Sequence, residues 1–409
     1  MCNSNFLFNT FNRLFNLMIK KIAILGSTGS IGKSLISIIK KNKNFKIELL
    51  STNTNVREII KQAKILNVKK LIITNPRKFT EAKKKFSKKF IIYNDFENLN
   101  KLFKKKLDYV MNSIVGISGL KPTLNIIRFT KNIAIANKES IICGWNLIQN
   151  KLKKYKTKII PVDSEHFSLW TLLDEFEINA NSTIKNSVKN IVITASGGPF
   201  LNTALKDFNN IKIKDAVSHP TWKMGKKISI DSATLVNKLF EVIEAQRLFG
   251  IDIKNIDIKI HKHSYIHSIV NFKNGLIKIC AHKPVMTIPI GNTIMSKNSF
   301  INKNKIDYKV LNNLKLINVD KKKFKVIKLL KKYPNHCSLF DTALVTINDE
   351  LVDLFLKNKI TFNEISDNLI KILKKKEIQL LKKKIPKNFN EIRKINEYVR
   401  LKTLQQSIN

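Results

Sequence analysis

Between residue 19 and about residue 162, hydrophobic side chains fall into short runs separated by longer stretches with helical spacing. The runs are KIAIL (21–25), KIELLS (46–51), KKLIIT (69–74), FIIY (90–93), DYVMNSIV (108–115), NIAIAN (132–137) and KIIPVDSE (158–165). Strands alternating with helices predict a doubly wound parallel sheet, whose ligands sit at the carboxyl ends of the strands. From about 163 to 296 the pattern changes. One long helix is mixed with the strands NIVITA (190–195), IDIKI (256–260) and LIKICA (276–281), the last two joined through YIHSIVNFKNG, which predicts an α+β arrangement. From about 321 to 409 the period is helical, and SLFDTALVTINDELVDLFL (338–356) is apolar on one face between lysine-rich ends, as in a small helical bundle. The Lys- and Asn-rich residues 297–320 read as a linker, and no internal repeat is visible. The fold class is therefore α/β: a doubly wound, Rossmann-like domain over 18–162, an α+β domain over 163–296, and a C-terminal helical bundle.

Directly after the first run comes GSTGSIG (26–32). A triphosphate-binding loop needs G-x-x-x-x-G-K-[ST]; Gly32, Lys33 and Ser34 supply its tail, but Ser27 stands where its first glycine belongs. The glycines instead read G-x-x-G-x-x-G, a relative of the dinucleotide fingerprint with its middle glycine displaced. In either reading a strand runs into a helix whose free N–H groups suit a phosphate.

Composition changes this picture little. At 409 residues and 43% hydrophobic the chain holds two or three domains, and no run of about 18 uncharged apolar residues suggests a membrane span. The net charge of +45 invites a nucleic-acid reading, but the basic residues are spread along the whole chain. Seven are arginine and 68 lysine, which with abundant Asn and Ile is what A/T-rich codons produce. Scarce arginine argues against specific nucleic-acid recognition. Cys2, Cys143, Cys280 and Cys337 have no C-x-x-C spacing, which speaks against a zinc site or disulfide framework and for a reducing, cytoplasmic setting. Residues 1–17 contain no acid and read as a leader or as the product of a mis-assigned start, since Met18 opens a normal first strand.

Candidate chemistry lies mainly in the second region. In PVDSEH (161–166), Asp163 and Glu165 face the same side if the segment is extended, so their carboxylates can converge on one hard cation, or remain a solvated pair. DSATLVNKLFEVIEAQRLF (231–249) predicts a helix apolar around most of its circumference and hence buried, yet Asn237, Lys238, Glu241 and Glu244 form a polar stripe on it. Burying that charge is costly unless it is paired or coordinates a metal, so Glu241 is either an ion-pair partner of Lys238 or a third carboxylate for the site begun by Asp163 and Glu165. Ser232 lies at the expected helix start, where donors meet an anion. Ser196 and two glycines follow a strand in TASGGPF (194–200), a shape open to a phosphate or simply a turn. HPTWKMGKK (219–227), with Trp222 and Met224, reads as a water-excluding lid or as a surface loop with one anchored Trp. His166, His219 and His267 are three of seven histidines.

Taken in order, GSTGSIG, NKES (137–140), PVDSEH, SGGPF, HPTWKMGKK, DSATLVNK with Glu241, and PVMTIPI (284–290) resemble the 1-deoxy-D-xylulose 5-phosphate reductoisomerases of the non-mevalonate isoprenoid pathway. The resemblance implies isomerisation of that substrate and NADPH-dependent reduction to 2-C-methyl-D-erythritol 4-phosphate, with Mg²⁺, Mn²⁺ or Co²⁺. It implies an NADPH-binding domain first, then a catalytic and dimerisation domain, in a homodimer. By the same resemblance Asp163, Glu165 and Glu241 hold the metal, and Ser196, Ser232, Asn237 and Lys238 grip the substrate phosphate. Lys138, Ser164 and His219 contact or flank the substrate; with Glu165 and Glu241, Lys138 and His219 make up the catalytic set. Thr28, Gly29, Ser30, Ile31, Asn55, Asn137, Lys138, Glu139 and Gly225 match cofactor-contacting positions. Trp222 and Met224 match a closing lid, and Met286 a residue packing on the nicotinamide.

The chain departs from the family pattern in places. Asn53-Thr54-Asn55 stands where Gly-Lys-Asn is expected, removing a lysine able to pair with the 2′-phosphate of NADPH and opening the choice between NADPH and NADH. Lys262 and His263 replace Pro and Gln, and VTINDEL (345–351) is a worn form of Asn-Ala-Ala-Asn-Glu. The competing readings are another metal-assisted NAD(P) oxidoreductase acting on a phosphorylated sugar, and a nucleic-acid-binding protein exploiting the net charge. The first reading requires three acidic side chains, distant in sequence, to meet around a single site.

Overall fold

A computed structural model describes residues 19–40, 42–173, 181–222, 224–295 and 307–407, so the expected leader lies outside it. Seven strands, β1 (Lys20–Leu25), β2 (Phe45–Thr52), β3 (Lys70–Ile73), β4 (Ile91–Tyr93), β5 (Leu107–Asn112), β6 (Thr130–Ile135) and β7 (Lys158–Pro161), form one parallel sheet in the order β4-β3-β2-β1-β5-β6-β7. Along β1, Ile22 and Ile24 enter the core on one face while Ala23 and Leu25 enter it on the other, so the strand is apolar throughout after Lys20 and Lys21. The order reverses at β1, which places the crevice beyond the carboxyl ends of β1 and β5. Helices α1 (Ser30–Ile39), α2 (Val56–Ile65) and α3 (Pro76–Phe86) follow the first three strands, and α4 (Lys138–Tyr155) follows β6.

The last strand of that sheet is shorter than its apolar run. β7 stops at Pro161 and α5 (Ser164–Leu172) begins three residues later with Asp163 as its N-cap. Asp163 and Glu165 are therefore at a helix start rather than on one face of a strand. An Asp-Ser-Glu sequence favours that outcome, because acidic groups offset the positive end of a helix.

The second sheet contains β8 (Val188–Ala195), β9 (Ile256–Ile260), β10 (Ile266–Phe272), β11 (Ile277–Ala281) and β12 (Ile317–Asn318) in the order β11-β10-β8-β9-β12, with only β8 and β9 parallel. The YIHSIVNFKNG connector is thus itself a strand, β10, between β8 and β11. The segment expected to be one helix is two, α6 (Lys226–Ala233) and α7 (Val236–Phe249). Helix α8 (Thr287–Ile294) packs back on α1, and Tyr109 and Thr293 share a 2.9 Å hydroxyl contact there. Residues 297–306 of the expected linker lie outside the described set; beyond them, β12 pairs with β9.

Helices α9 (Leu339–Leu356), α10 (Phe362–Leu373) and α11 (Phe389–Ser407) form the C-terminal region. Helix α9 is buried continuously from Leu339 to Asn348 rather than on one face, because α4, α6, α10 and α11 all pack around it.

Candidate active site

Helix α7 starts at a strained turn. Leu235 holds a left-handed backbone (φ 60°, ψ 14°), which costs a residue with a Cβ about 1–2 kcal/mol. Ser232 consequently lies in the last turn of α6 instead of opening a helix. Below the break, Asn237, Lys238 and Glu241 present one polar stripe of an otherwise buried helix, with Glu241 only 1% exposed.

Two lysines and three acids meet at that stripe. The Lys138 ammonium, from the start of α4, lies 2.6 Å from Asp163 Oδ2 and 3.0 Å from Glu241 Oε1, and donates to Asn237 Oδ1 at 2.7 Å. The Lys238 ammonium bridges Glu165 Oε1, at 3.0 Å, and Glu241 Oε2. Asn237 donates to Glu241, and Ser164 Oγ donates to Glu165 Oε2 at 2.6 Å. One carboxylate oxygen each from Asp163, Glu165 and Glu241 lies within 4.8 Å of the others. Burial, reinforced by Glu241 and Asp163, pushes the Glu165 carboxyl up to about 7. Burial acts the same way on Asp163, but Lys138 and His166 outweigh it and hold that group well below the usual range.

His166 stands behind these acids. Its Nε2 donates to the Glu241 backbone oxygen at 2.8 Å, while Nδ1 lies 3.4 Å from Asp163 Oδ1 and 3.2 Å from Glu244 Oε2. Burial alone would depress its pKa, yet Glu244 and Asp163 raise it to about 9. Nε2 is thus hydrogen-bonded, whereas Nδ1, Asp163 Oδ1 and Glu244 Oε2 stand close together with no hydrogen bond formed between them. Asp163, His166 and Glu244 also lie within mutual ligating distance of one another.

A second group lies around His219. Its Nδ1 accepts from the backbone N–H groups of Thr221 (3.2 Å) and Trp222 (3.0 Å), which assigns its proton to Nε2. Nε2 lies 3.0 Å from Ser196 Oγ and 3.1 Å from Ser232 Oγ. Burial holds the ring's pKa down at about 4, so it is neutral near pH 7. A single N–H facing two hydroxyl oxygens leaves both serines their own protons to donate elsewhere. Trp222, from the expected lid, meets the His267 ring edge-on at 6.1 Å, and His267 stacks on His282 at 3.8 Å. Asn237 and Lys238, expected beside these serines, direct their recorded bonds to the carboxylates instead.

The crevice at the first sheet is built for close backbone approach. Gly26 (φ 76°) donates to Ser51 Oγ at 2.9 Å, and a Cβ there would lie 2.9 Å from the Ser113 carbonyl. At Gly32 a Cβ would lie 2.6 Å from Ser27 Cα. Gly29 is the N-cap of α1, no side chain caps that helix, and Ser30 and Ile31 form its first turn. Thr28 shares a 2.8 Å hydroxyl contact with Thr52 at the end of β2. Asn55 caps α2 through Oδ1, accepting from Glu58 N at 3.2 Å. The Asn137 amide donates to the oxygens of Ile114 and, at 3.1 Å, Gly116. Gly225, the N-cap of α6, is open to solvent, and Met286 is partly buried against the core of the first sheet.

Lys138 and Glu139, expected near the cofactor, turn their side chains elsewhere: Lys138 to the acids and Glu139 to Lys227, 3.3 Å away. That second contact belongs to a charge cluster that sequence reading missed. The Lys227 ammonium, from the last residue of the lid stretch, also lies 2.9 Å from Asp231 and 3.0 Å from Asp349, and Asn348 donates to Asp231 at 2.7 Å. The signal was present in the Lys227/Asp231 spacing of four and in the NDE triplet of the worn motif.

Comparison with known proteins covers the same span. Family models match in three consecutive pieces: 1-deoxy-D-xylulose 5-phosphate reductoisomerase over residues 22–144, and its C-terminal domains over 159–249 and 282–402. The enzyme of that name from Pelagibacter ubique (strain HTCC1062) is 53% identical over 394 residues, 95% of this chain and 100% of the relative. That of the Wolbachia of Brugia malayi is 38% identical, covering 87% of this chain and 89% of its own. Among solved structures, DOX-P reductoisomerase in complex with NADPH, fosmidomycin and magnesium superposes with a TM-score of 0.86 at 30% identity, covering 95% of this chain and 98% of its own. The Zymomonas mobilis enzyme in complex with NADPH gives 0.82 at 29% identity, covering 95% and 99%. Matched by family models over most of its length and 53% identical to a relative that it covers in full, this chain belongs to the 1-deoxy-D-xylulose 5-phosphate reductoisomerase family.

Proposed function

We propose that this chain isomerises 1-deoxy-D-xylulose 5-phosphate and reduces the rearranged aldehyde with NADPH to 2-C-methyl-D-erythritol 4-phosphate, a step of non-mevalonate isoprenoid synthesis. The observation that carries this reading is the convergence of Asp163, Glu165 and Glu241 within 4.8 Å, beside a glycine-turn crevice. Three hard oxygen donors from two helices suit Mg²⁺, and Mn²⁺ or Co²⁺ would fit the same set. The ion, when bound, supplies Lewis-acid polarisation of the substrate's carbonyl and hydroxyl oxygens. NADPH supplies the hydride; Thr28, Gly29, Ser30, Ile31, Asn55 and Asn137 line its place, Gly225 and Met286 approach it, and the uncapped start of α1 suits its pyrophosphate.

The chain's own side chains do the rest. Ser196, Ser232 and neutral His219 offer three donors to a phosphate, and that remote grip fixes the reacting carbons. Asn237 and Lys238 reach the same substrate once their carboxylate partners are engaged. Lys138 and His166 keep Asp163 ionised, and Ser164 orients Glu165. Trp222 and Met224 close over the site and exclude water.

The protein acts as a homodimer in the cytoplasm, binding neither membrane nor specific nucleic acid. The edge strand β11 supports the dimer, since Ile277 and Ile279 are 62% and 50% exposed on a strand that has only one neighbouring strand among the described residues. A monomer in sedimentation equilibrium would overturn that assembly. Among the described residues no helix is long and apolar enough to cross a membrane.

The test is NADPH oxidation by the purified chain with deoxyxylulose phosphate, with and without a chelator. Turnover that needs a divalent ion supports the reading; turnover only with a different phosphosugar would replace it with the broader oxidoreductase. Glu241→Gln is expected to lower turnover about 1,000-fold or more while NADPH binding, followed by fluorescence, stays intact. Equal turnover in that variant would remove the metal assignment.

A further inference from the structure

The end of β2 is where a doubly wound fold chooses between the two nicotinamide dinucleotides. A chain that prefers NAD places an acid about 20 residues beyond the glycine turn to bind the ribose 2′-hydroxyl, whereas one that prefers NADP needs a cation there. Here that position is Thr52-Asn53-Thr54-Asn55, with neither. Between residues 49 and 80 the single acid is Glu58, which is engaged by Gln62 at 3.3 Å and lies 3.9 Å from Lys33.

The neighbouring backbone brings a second loop to the same place. Thr74 N donates to Thr52 O at 3.0 Å, Asn75 N to Asn53 O at 3.3 Å, and Thr74 Oγ1 to Asn53 Oδ1 at 3.2 Å. The starts of α2 and α3 are thereby laced side by side around Asn53. Each helix is capped by an asparagine, Asn55 or Asn75, and each carries an arginine as its second residue, Arg57 or Arg77. Both arginines are exposed, and among the described residues neither has a recorded hydrogen bond or ion pair. The composition makes this placement informative: a chain with 68 lysines sets two of its seven arginines here. Arginine differs from lysine in its planar fork, which binds phosphate oxygens in pairs.

We propose that Arg57 and Arg77 together clamp the 2′-phosphate of NADPH, taking over from the absent lysine and setting the preference for NADPH over NADH. The proposal rests on the cofactor reading above. The charges that bear on the clamp are few. Glu58 follows Arg57 directly but is held by Gln62 and Lys33, and Lys78 follows Arg77 but pairs with Glu81 at 2.8 Å.

Equilibrium binding of NADPH, NADH and free 2′,5′-ADP to the full-length protein tests it, with Arg57→Ala, Arg77→Ala and Arg57→Lys as variants. Each alanine should weaken NADPH and 2′,5′-ADP about 10-fold, the low end for a charge-assisted pair because the site is exposed, and leave NADH unchanged. Arg57→Lys should recover part of the loss. A wild type that prefers NADPH, paired with alanine variants that bind all three ligands normally or lose NADPH and NADH in parallel, would overturn the clamp alone. A wild type that binds NADH as well as NADPH and ignores 2′,5′-ADP would overturn the cofactor reading beneath it.

Discussion

Lys138 and Lys238 carry charge into a place where each is under a tenth exposed, and both do so against carboxylates that are themselves largely covered. An unpaired charge there would be costly, so the ammonium groups balance acids whose oxygens are spaced for a divalent ion. His166 completes this arrangement from behind, with Nδ1 3.4 Å from Asp163 Oδ1 and Nε2 bonded to the α7 backbone. Residues in that position tune ligand geometry and charge without touching substrate. His166→Ala is expected to raise the Mg²⁺ concentration for half-maximal activity about 10- to 100-fold, with the NADPH affinity unmoved as the control measurement. The Asn237, Lys238 and Glu241 group was legible in the sequence because helical spacing of three and four is local. The His166–Glu244 pair was not, since its partners lie on different helices and meet only through tertiary packing.

Helix starts in this molecule are closed in two ways. Helices α2 and α3 are closed by asparagine side chains, and α9 and α10 by capping boxes. The starts of α1, α4, α5, α6 and α7, which surround the crevice and the acids, carry no side-chain cap. First-turn amides left this way can serve anionic groups of a ligand, although at α7 Val236 N is already held by Thr234 Oγ1 and Lys238 N by the Leu235 oxygen. The sequence signalled the turn before α1 through its glycines, but it did not signal the break before α7, because nothing in Thr234-Leu235 marks a left-handed residue. The tight packing at the first of these starts gives a direct test. Gly32→Ala would push a methyl to 2.6 Å from Ser27 Cα, a backbone atom that cannot swing away. We expect a loss of about 1–3 kcal/mol in stability by denaturant titration, with weakened NADPH binding.

At the scale of the whole chain, Lys227 joins three regions: Glu139 from the nucleotide side, Asp231 from its own helix, and Asp349 from the C-terminal region. Three acids share one lysine, and burial, with Glu139 and Asp231 adding to it, pushes Asp349 up to about 7 from an ordinary 3.8. The folded state therefore binds more protons than the unfolded chain between those values. Its stabilising share is complete below the lower value and is lost as pH rises through the upper one. Asp349→Asn should remove that slope, so that its melting temperature gains a few degrees on the wild type at about pH 8 relative to about pH 5. Parallel melting curves across that range would refute the assignment. The strands of the first sheet were legible as alternating runs, but the order in which they pair was not, and the central role of α9 was hidden because its buried polar residues Asp341, Thr342, Thr346 and Asn348 read in sequence as an outer face.

That junction also orders events in time. Glu139 and Asp231 leave the ribosome well over a hundred residues ahead of Asp349, so the nascent chain holds an incomplete set of charges until α9 emerges. The junction at Lys227 is therefore complete only once α9 has been synthesised.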